Sequence, residues 1–355
     1  MNKQINLLKN FLLSVFILVI VSGCSRWKND INILKKTLLP LTKEVLVLIE
    51  NNDGISYDSS YLAINEKNYI LFSLDSGSNK PYTEIRYGEI LSIEPLIISR
   101  IQSVLPKSKF NKRYLSSIVK TSDKIWIYYV EGDSLKDFAK SYRAQWNNGN
   151  LVNIEELNID KKIRVRHWQR YYSFNNMVVM IYAGGDGMFF TTSKDGTSFK
   201  NFVKTYKRAA KPSFNNVNGG FFAYSFQRGN WKKGKMKSMF TISEDMGLTW
   251  QQPIETTLSH KNVHDAFLFK RSDGMLDIYY VYPVGPWRGF SLFRRCIRKD
   301  YSLGSEEQVI VKEIGNVIAP TLHRLADNQI ALTFNEQLSG FNPYITIIKG
   351  DSFCE

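Results

Sequence analysis

The sequence predicts an all-β fold, a six-bladed β-propeller in which an N-terminal strand closes the last blade. Beyond residue 44 there is almost no helical periodicity, and short β-rich runs alternate with turn residues. An aromatic-rich run recurs about every fifty residues, a period typical of repeat architectures. The chain has 355 residues, more than the roughly 150 of an ordinary domain but common for a closed β architecture.

The recurring run is the predicted second strand of each unit. Its six copies lie at residues 69–72, 125–129, 178–182, 221–224, 276–280 and 330–334. Steps that contain Asn, Asp or Gly precede most of these runs, as expected for a tight hairpin from the first strand. Four-stranded blades around one axis would bury such apolar runs between neighbouring sheets.

The two ends of the repeat region complement each other. The last unit stops one strand short after residues 342–348, whereas the run 44–50 has no partner in the first unit. We predict that residues 44–50 supply the outer strand of the sixth blade. Two stacked β-sandwich domains are the alternative, although no linker rich in Pro, Gly or Ser divides the chain.

The N-terminus has the pattern of an export signal. Lys3 and Lys9 flank an apolar run over residues 11–21, and the segment ends in Val21-Ser22-Gly23-Cys24. This ending resembles the lipobox of bacterial lipoproteins. The resemblance implies a signal peptide over residues 1–23 and a lipid on Cys24. Residues 24–43 are then a tether, and the repeats place the propeller over residues 44–355. A secreted protein with a chance cysteine is the alternative.

These features predict a protein of the cell envelope, anchored to a membrane by its N-terminal lipid. The lipoprotein resemblance, with Ser25 rather than Asp after the cysteine, implies the outer membrane if the host is Gram-negative. Export also permits a disulfide between Cys296 and Cys354, and two unpaired buried thiols are the alternative. We expect a monomer.

The charge of the chain predicts an anionic partner. The net charge is +14, which attracts acidic glycans, and an exported, tethered protein is not expected to bind nucleic acid. The sequence has no phosphate-binding glycine loop and no His-Glu-x-x-His pair, and its 4 histidines include one close pair. We therefore predict no metal and no cofactor.

Two turn motifs stand at corresponding points of adjacent units. The first follows the pattern Ser-x-Asp-x-Gly-x-Thr-Trp, with Ser243, Asp245, Gly247, Thr249 and Trp250. A shortened second copy keeps four of these features, in Ser193, Asp195, Gly196 and Phe199. In a hairpin between third and fourth strands, the Asp would accept backbone N–H bonds and the Gly would permit a positive φ.

These motifs resemble the Asp-box, or BNR repeat, of sialidases and related β-propellers. The resemblance implies that both boxes lie on the outer rim, away from a central ligand site. We therefore interpret Asp195 and Asp245 as structural residues.

A ligand site is predicted where the inner strands begin and converge on the axis. The charged and histidine residues at these positions are Asp58, Arg113, Arg166, His167, Lys211, His264 and Asp265. The arginines and Lys211 could hold the anionic group of an acidic sugar, and Asp265 or Asp58 could serve as a general acid. Alternatively, His264 and Asp265 satisfy backbone groups at a strand opening, and Arg166 belongs to a solvated face.

Two classes of function remain open. The sialidase resemblance implies an exo-glycosidase for acidic sugars, but the chain lacks the early Phe/Tyr-Arg-Ile-Pro motif, and no Tyr/Glu pair or full arginine triad is assignable. The alternative is a noncatalytic scaffold propeller that binds a glycan, such as an acidic polysaccharide, or a protein. A hydrolase requires two carboxyl groups about 5–9.5 Å apart in one cavity, or a Tyr/Glu nucleophile.

Overall fold

The computed structural model describes the chain from Thr42 onward, with gaps. The described residues are 42–47, 56–64, 66–75, 83–105, 112–132, 138–161, 163, 169–184, 187–206, 209–217, 220–227, 237–255, 263–284, 289–310, 317–326, 329–336, 342–352 and 354. All regular secondary structure within them is β-strand. None of them belongs to a helix long and apolar enough to span a bilayer.

The first half of the chain forms the first three sheets. β1 (Thr42–Val47) joins the last sheet. The first sheet contains β2 (Ser56–Ile64), β3 (Lys67–Asp75), β4 (Thr83–Ile93), β5 (Leu96–Ile98) and β6 (Gln102–Ser103). The second contains β7 (Lys112–Lys120), β8 (Ile125–Gly132), β9 (Phe138–Asn147) and β10 (Asn150–Glu156). β11 (Asn158–Ile159) precedes the third sheet, which contains β12 (Gln169–Phe174), β13 (Met177–Gly184) and β14 (Gly187–Ser193).

The second half forms the remaining strands. β15 (Ser198–Phe199) pairs in parallel with β11, and β16 (Val203–Tyr206) completes the third sheet. The fourth sheet contains β17 (Ala209–Val217), β18 (Gly220–Gln227), β19 (Lys237–Ser243) and β20 (Ile254–Glu255). The fifth contains β21 (His264–Lys270), β22 (Leu276–Val284), β23 (Gly289–Ile297) and β24 (Glu307–Ile310). The closing sheet contains β25 (Val317–Ala326), β26 (Gln329–Glu336), β27 (Asn342–Lys349) and β1.

The predicted second strands are confirmed. The six aromatic-rich runs lie in β3, β8, β13, β18, β22 and β26, and each of these is the second strand of its sheet. They are apolar on both faces because each sheet packs against a neighbour on either side. The hydrophobic clusters accordingly join adjacent sheets, for example Leu71 with Ile127 and Tyr128 with Tyr171.

The first strands of the sheets form a ring. They contact one another in the order β2, β7, β12, β17, β21 and β25, and β25 returns to β2. Backbone groups on neighbouring first strands are joined by side chains: Ser117 Oγ accepts from the Tyr171 N–H at 2.8 Å, and Ser213 Oγ accepts from the Leu268 N–H at 3.0 Å. This ring establishes an all-β propeller fold, and two separate sandwiches would not produce it.

The N-terminal strand lies where the sequence predicted. β1 pairs antiparallel with β27, with Val45 opposite Thr346 and Val47 opposite Tyr344. The strand begins at Thr42, two residues before the predicted start of the propeller at residue 44. Residues 48–50 of the predicted strand lie outside the described residues.

The C-terminal segment after β27 fastens the closing sheet to the fifth sheet. Cys354 forms a disulfide with Cys296 of β23, which settles the alternatives that the sequence left open. The Ser352 N–H donates to the buried carboxylate of Asp277 at 3.0 Å, and Arg271 donates to the Ser352 Oγ at 2.8 Å. Both ends of the described chain therefore bind elements that are distant in sequence.

Candidate functional site

Each first strand has an upstream end, where it begins, and a downstream end, where it leads into the hairpin. A β-bulge interrupts the upstream half of most first strands, between Tyr57 and Ser60, Leu115 and Ser117, Ala210 and Ser213, His264 and Phe267, and Ile318 and Thr321. A bulge bends a strand and redirects the extra residue. Asp58, Lys211 and Asp265, all predicted site positions, fall within these bulges.

Lys211 and Asp265 form an ion pair between neighbouring first strands. The Lys211 ammonium contacts Oδ1 of Asp265, and the carboxylate side chain is 7% exposed. Both residues have a positive φ, +49° for Lys211 and +44° for Asp265, a conformation uncommon outside glycine. The two bulges therefore bring opposite charges together at the upstream end of the fourth and fifth sheets.

Arg113 forms a second ion pair at this end, and this one is buried. Its Nε lies 2.6 Å from Oε1 of Glu131, which stands directly opposite it on β8, and both side chains are 9% exposed. The guanidinium carbon also lies 5.8 Å from the centre of the Tyr129 ring. Arg113 was predicted from the sequence and Glu131 was not, because only strand pairing shows that the two residues face each other.

Of the remaining predicted site residues, two lie in described strands and two lie outside the described part of the chain. Asp58 belongs to β2 and His264 to β21, whereas Arg166 and His167 lie outside the described residues. The signal peptide and Cys24 also lie outside them. The roles of these residues stay predictions.

A tyrosine and glutamate cluster occurs away from the first strands. Tyr280 and Tyr282 of β22 both donate hydrogen bonds to Glu306, which precedes β24, and the Tyr282 bond is 3.1 Å long. Burial is the larger cause and the neighbouring Glu306 charge the smaller one; together they raise the pKa of each tyrosine hydroxyl far above the ordinary tyrosine value. These phenols therefore stay protonated, and the cluster holds the second strand to the outer part of the fifth sheet.

A cavity of about 660 Å³ occupies the downstream end of the ring. Residues of all six first strands line it, including Tyr61, Lys120, Tyr172, Phe214, Lys270 and His323. His323 stacks on Tyr61 with 5.5 Å between ring centroids. Burial lowers the pKa of His323 to about 3, so its imidazole is neutral at neutral pH.

The sequence-based prediction of the ligand site covered only the upstream end of the ring and did not include this cavity. A usable signal was present, since β7 and β21 both end in lysine and Arg324 stands near the end of β25. Among the described residues no group of three His, Cys, Asp or Glu side chains could hold a metal ion.

The two turn motifs lie between third and fourth strands, as predicted. Asp245 Oδ1 accepts from the Ser243 hydroxyl and from the Thr249 N–H, both at 2.8 Å, and the Thr249 hydroxyl donates to Oδ2 at 2.5 Å. Bonds from Thr249 and Ser243 lower the pKa of Asp245 to about 2. The Trp250 indole donates to the Gly247 carbonyl at 3.1 Å.

The shortened motif has the same arrangement. Asp195 Oδ1 accepts from the Ser193 hydroxyl at 2.6 Å and from the N–H groups of Thr197 and Ser198 at 2.8 and 3.0 Å. These bonds, that of Ser193 foremost, hold the pKa of Asp195 well below its ordinary value. The hydrogen bonds that the Asp195 and Asp245 carboxylates accept all come from residues of their own turns.

Each motif also contacts the preceding sheet. The Gly196 carbonyl accepts from the Tyr128 hydroxyl at 2.8 Å, and the Asp195 carbonyl accepts from Arg143 at 2.6 Å. In the other motif the Trp250 ring packs edge-on against Phe190 with 5.2 Å between centroids. The motifs therefore join adjacent sheets.

The fold is similar to that of solved sialidase structures. Trypanosoma rangeli sialidase in complex with 2,3-difluorosialic acid matches with a TM-score of 0.61 and 12% identity, over 87% of this chain and 59% of that one. The NanB sialidase from Streptococcus pneumoniae matches with a TM-score of 0.59 and 9% identity, over 87% and 70%. A solved RGII complex of BT0996 matches with a TM-score of 0.51 and 13% identity, over 92% and 97%.

These similarities concern the fold. The chain spans about three fifths of the length of the Trypanosoma rangeli sialidases, with 59% of one of them covered. No protein-family model matches the sequence, and a search of curated proteins finds no match.

Proposed function

We propose that this protein is a glycan-binding propeller whose site lies at the upstream end of the ring. The observation that carries the proposal is the Lys211–Asp265 pair, built by two bulges on neighbouring first strands. A left-handed backbone at Lys and Asp costs of order 1–3 kcal/mol per residue and is concentrated at functional sites. The sialidases of similar fold, one of them solved in complex with sialic acid, support a sugar as ligand.

Binding is favoured over hydrolysis because the carboxylates at the upstream end are paired with cationic side chains. Asp265 contacts Lys211, and Glu131 contacts Arg113, so both carboxylates are engaged with cations. Such pairs offer donors and acceptors to sugar hydroxyls. The described tyrosine and glutamate cluster around Glu306 lies off the first strands and keeps its phenols protonated.

Hydrolysis of a terminal acidic sugar is the second candidate, favoured by the sialidase neighbours. In that function Asp265 or Asp58 would be the acid. Arg113, Arg166 and Lys211 would hold the anionic group, with His167 and His264 contacting the sugar.

The proposal also covers the number of blades, the strand that closes the last blade and the type of turn motif. We propose that the six sheets in the contact ring are six blades, with β1 closing the last, and that the two turn motifs are Asp-boxes of the BNR type. The order of first-strand contacts and the hydrogen bonds of Asp195 and Asp245 support this interpretation.

The N-terminal sequence supports a proposal for the cellular setting. We propose that residues 1–23 direct export and that a lipid on Cys24 holds a monomer at the cell envelope, where acidic polysaccharide is the expected partner. The pattern from Lys3 to Cys24 and the net charge of +14 support this setting.

Glycan binding by the full chain in detergent tests the proposal. Sialyllactose and neutral lactose would be titrated against the native protein, Lys211→Asn, Asp265→Asn and, as a control, exposed Lys299→Gln. Asn tolerates a left-handed backbone, so both variants remove charge without added strain. We expect each to weaken sialyllactose binding about tenfold, equivalent to about 1.4 kcal/mol, and the control to have no effect.

Absence of sialyllactose binding, or unchanged sialyllactose affinity in both the Lys211→Asn and Asp265→Asn variants, would overturn the proposal. Turnover of an aryl sialoside that disappears in a double Asp58→Asn, Asp265→Asn variant would replace it with the hydrolase function.

A further inference from the structure

The cavity at the downstream end has a cationic rim without an acidic residue. Lys120 ends β7 and Lys270 ends β21, and neither ammonium has an ion-pair partner among the described residues. The described lining includes no Asp or Glu. Two unpaired ammonium groups at one opening attract an anion, because like charges on the rim add their potentials.

Arg324 is held in a fixed position at the same cavity. Its Nη2 donates to Asp351 Oδ1 at 2.5 Å and to the Lys270 carbonyl at 3.2 Å, and its guanidinium carbon lies 5.0 Å from the Phe269 ring centre. Its Nη1 is buried without a hydrogen-bond partner among the described residues. An unsatisfied buried donor costs about 1–3 kcal/mol, which a ligand oxygen could recover.

The other lining residues suit a polyhydroxylated ring. Tyr61, Tyr172, Phe214 and Phe267 supply aromatic surface, and neighbouring side chains supply amide groups. The Nε2 of His323, stacked on Tyr61, is a second buried nitrogen without a partner among the described residues. An inorganic anion would use the cations and leave the aromatic and amide surface without contacts.

We propose that this cavity is a binding site for a small acidic saccharide. One carboxylate would bind Lys120, and a second, on the opposite side of the opening, would bind Lys270 and Arg324; the ring would pack on the aromatic side chains, with hydroxyl groups bonded to Asn215, Asn216 and His323. A volume of about 660 Å³ lies within the range of small-molecule sites. The site is separate from the Lys211–Asp265 pair and does not depend on the function proposed for that pair.

Calorimetric titration of the full chain with digalacturonate tests this site. The double variant Lys120→Gln, Lys270→Gln removes both rim charges, and Lys161→Gln, Lys299→Gln removes two exposed charges outside the lining. We expect the first variant to weaken digalacturonate binding at least about tenfold and the second to change it less than about twofold. The methyl-esterified disaccharide, which lacks the carboxylate charge, should bind about tenfold more weakly than the acid.

Titrations of further variants distinguish binding in this cavity from binding at the Lys211–Asp265 pair. Ser173→Trp, at the exposed end of β12 on the lining, should block binding while Lys120 and Lys270 remain. The Lys211→Asn and Asp265→Asn variants should bind normally. Absence of digalacturonate binding, equal affinity after loss of both rim lysines, equal affinity for the ester, or loss of binding in the Lys211 and Asp265 variants would each overturn the proposal.

Discussion

At the residue scale, short polar side chains stabilise the turns by bonding nearby backbone groups. Asp195 accepts from residues two and three positions ahead, so its role is readable from the sequence. The Lys211–Asp265 contact differs, because 54 residues separate its partners and two bulges must align them. Local bonds could be predicted from a motif, whereas this contact required the register of neighbouring strands.

The Asp245 carboxylate should make stability depend on pH in the acid range. Its folded pKa of about 2 lies below the ordinary 3.8, so its contribution is present above about pH 4 and is lost as the pH falls through 2. Asp245→Asn should therefore reduce the free energy of unfolding by a constant amount from about pH 5 to 7, and by less from about pH 4 to 2. Urea unfolding across this range measures the difference.

Asp123→Asn is a matched control for that series. Asp123 is an exposed carboxylate in the β7–β8 hairpin, and its described hydroxyl contacts are 3.5 Å long. A difference between native protein and Asp245→Asn that stays constant down to pH 2 would contradict the assignment.

At the element scale, each turn motif acts as a contact between two sheets. Gly247 has a φ of +90°, and a Cβ at this position would lie closer than van der Waals contact to the Phe190 ring of the third sheet. The glycine is therefore required both by the turn and by the approach of the neighbouring sheet.

Gly247→Ala should destabilise the protein more than Gly274→Ala. Both glycines have a positive φ, but a Cβ at Gly274 would meet no atom within 4 Å. We expect overpacking against Phe190 to add about 1–3 kcal/mol to the cost of the Gly247 variant. Urea unfolding of both variants gives the comparison. Equal losses in the free energy of unfolding would contradict the prediction, because they would show that the Phe190 ring moves aside without destabilising the protein.

At the scale of the whole molecule, the two ends of the described chain bind strands that are distant in sequence. β1 pairs with β27, and the segment after β27 bonds to the fifth sheet through Ser352 and the Cys296–Cys354 disulfide. Without β1, the edge of β27 would present unpaired backbone groups.

Deletion of residues 42–47 should lower stability and promote association. With four registered pairs lost and about 1 kcal/mol for each net hydrogen bond, we expect a decrease of about 2–4 kcal/mol. Deletion of residues 26–31, the same length within the predicted tether, is the control. Unfolding midpoints and sedimentation measure the effect, and identical behaviour of the two deletions would exclude closure by β1.

The sequence by itself determined the recurring second strands, the two turn motifs and the N-terminal strand that pairs with the last one. These features arise from alternation, turn chemistry and unit spacing, all of which are local. Tertiary structure alone decided that Arg113 faces Glu131, that Lys211 meets Asp265 and that Lys120 and Lys270 border one cavity. The reason is that these contacts depend on bulges and on packing between sheets, where one residue of register changes which side chain faces the axis.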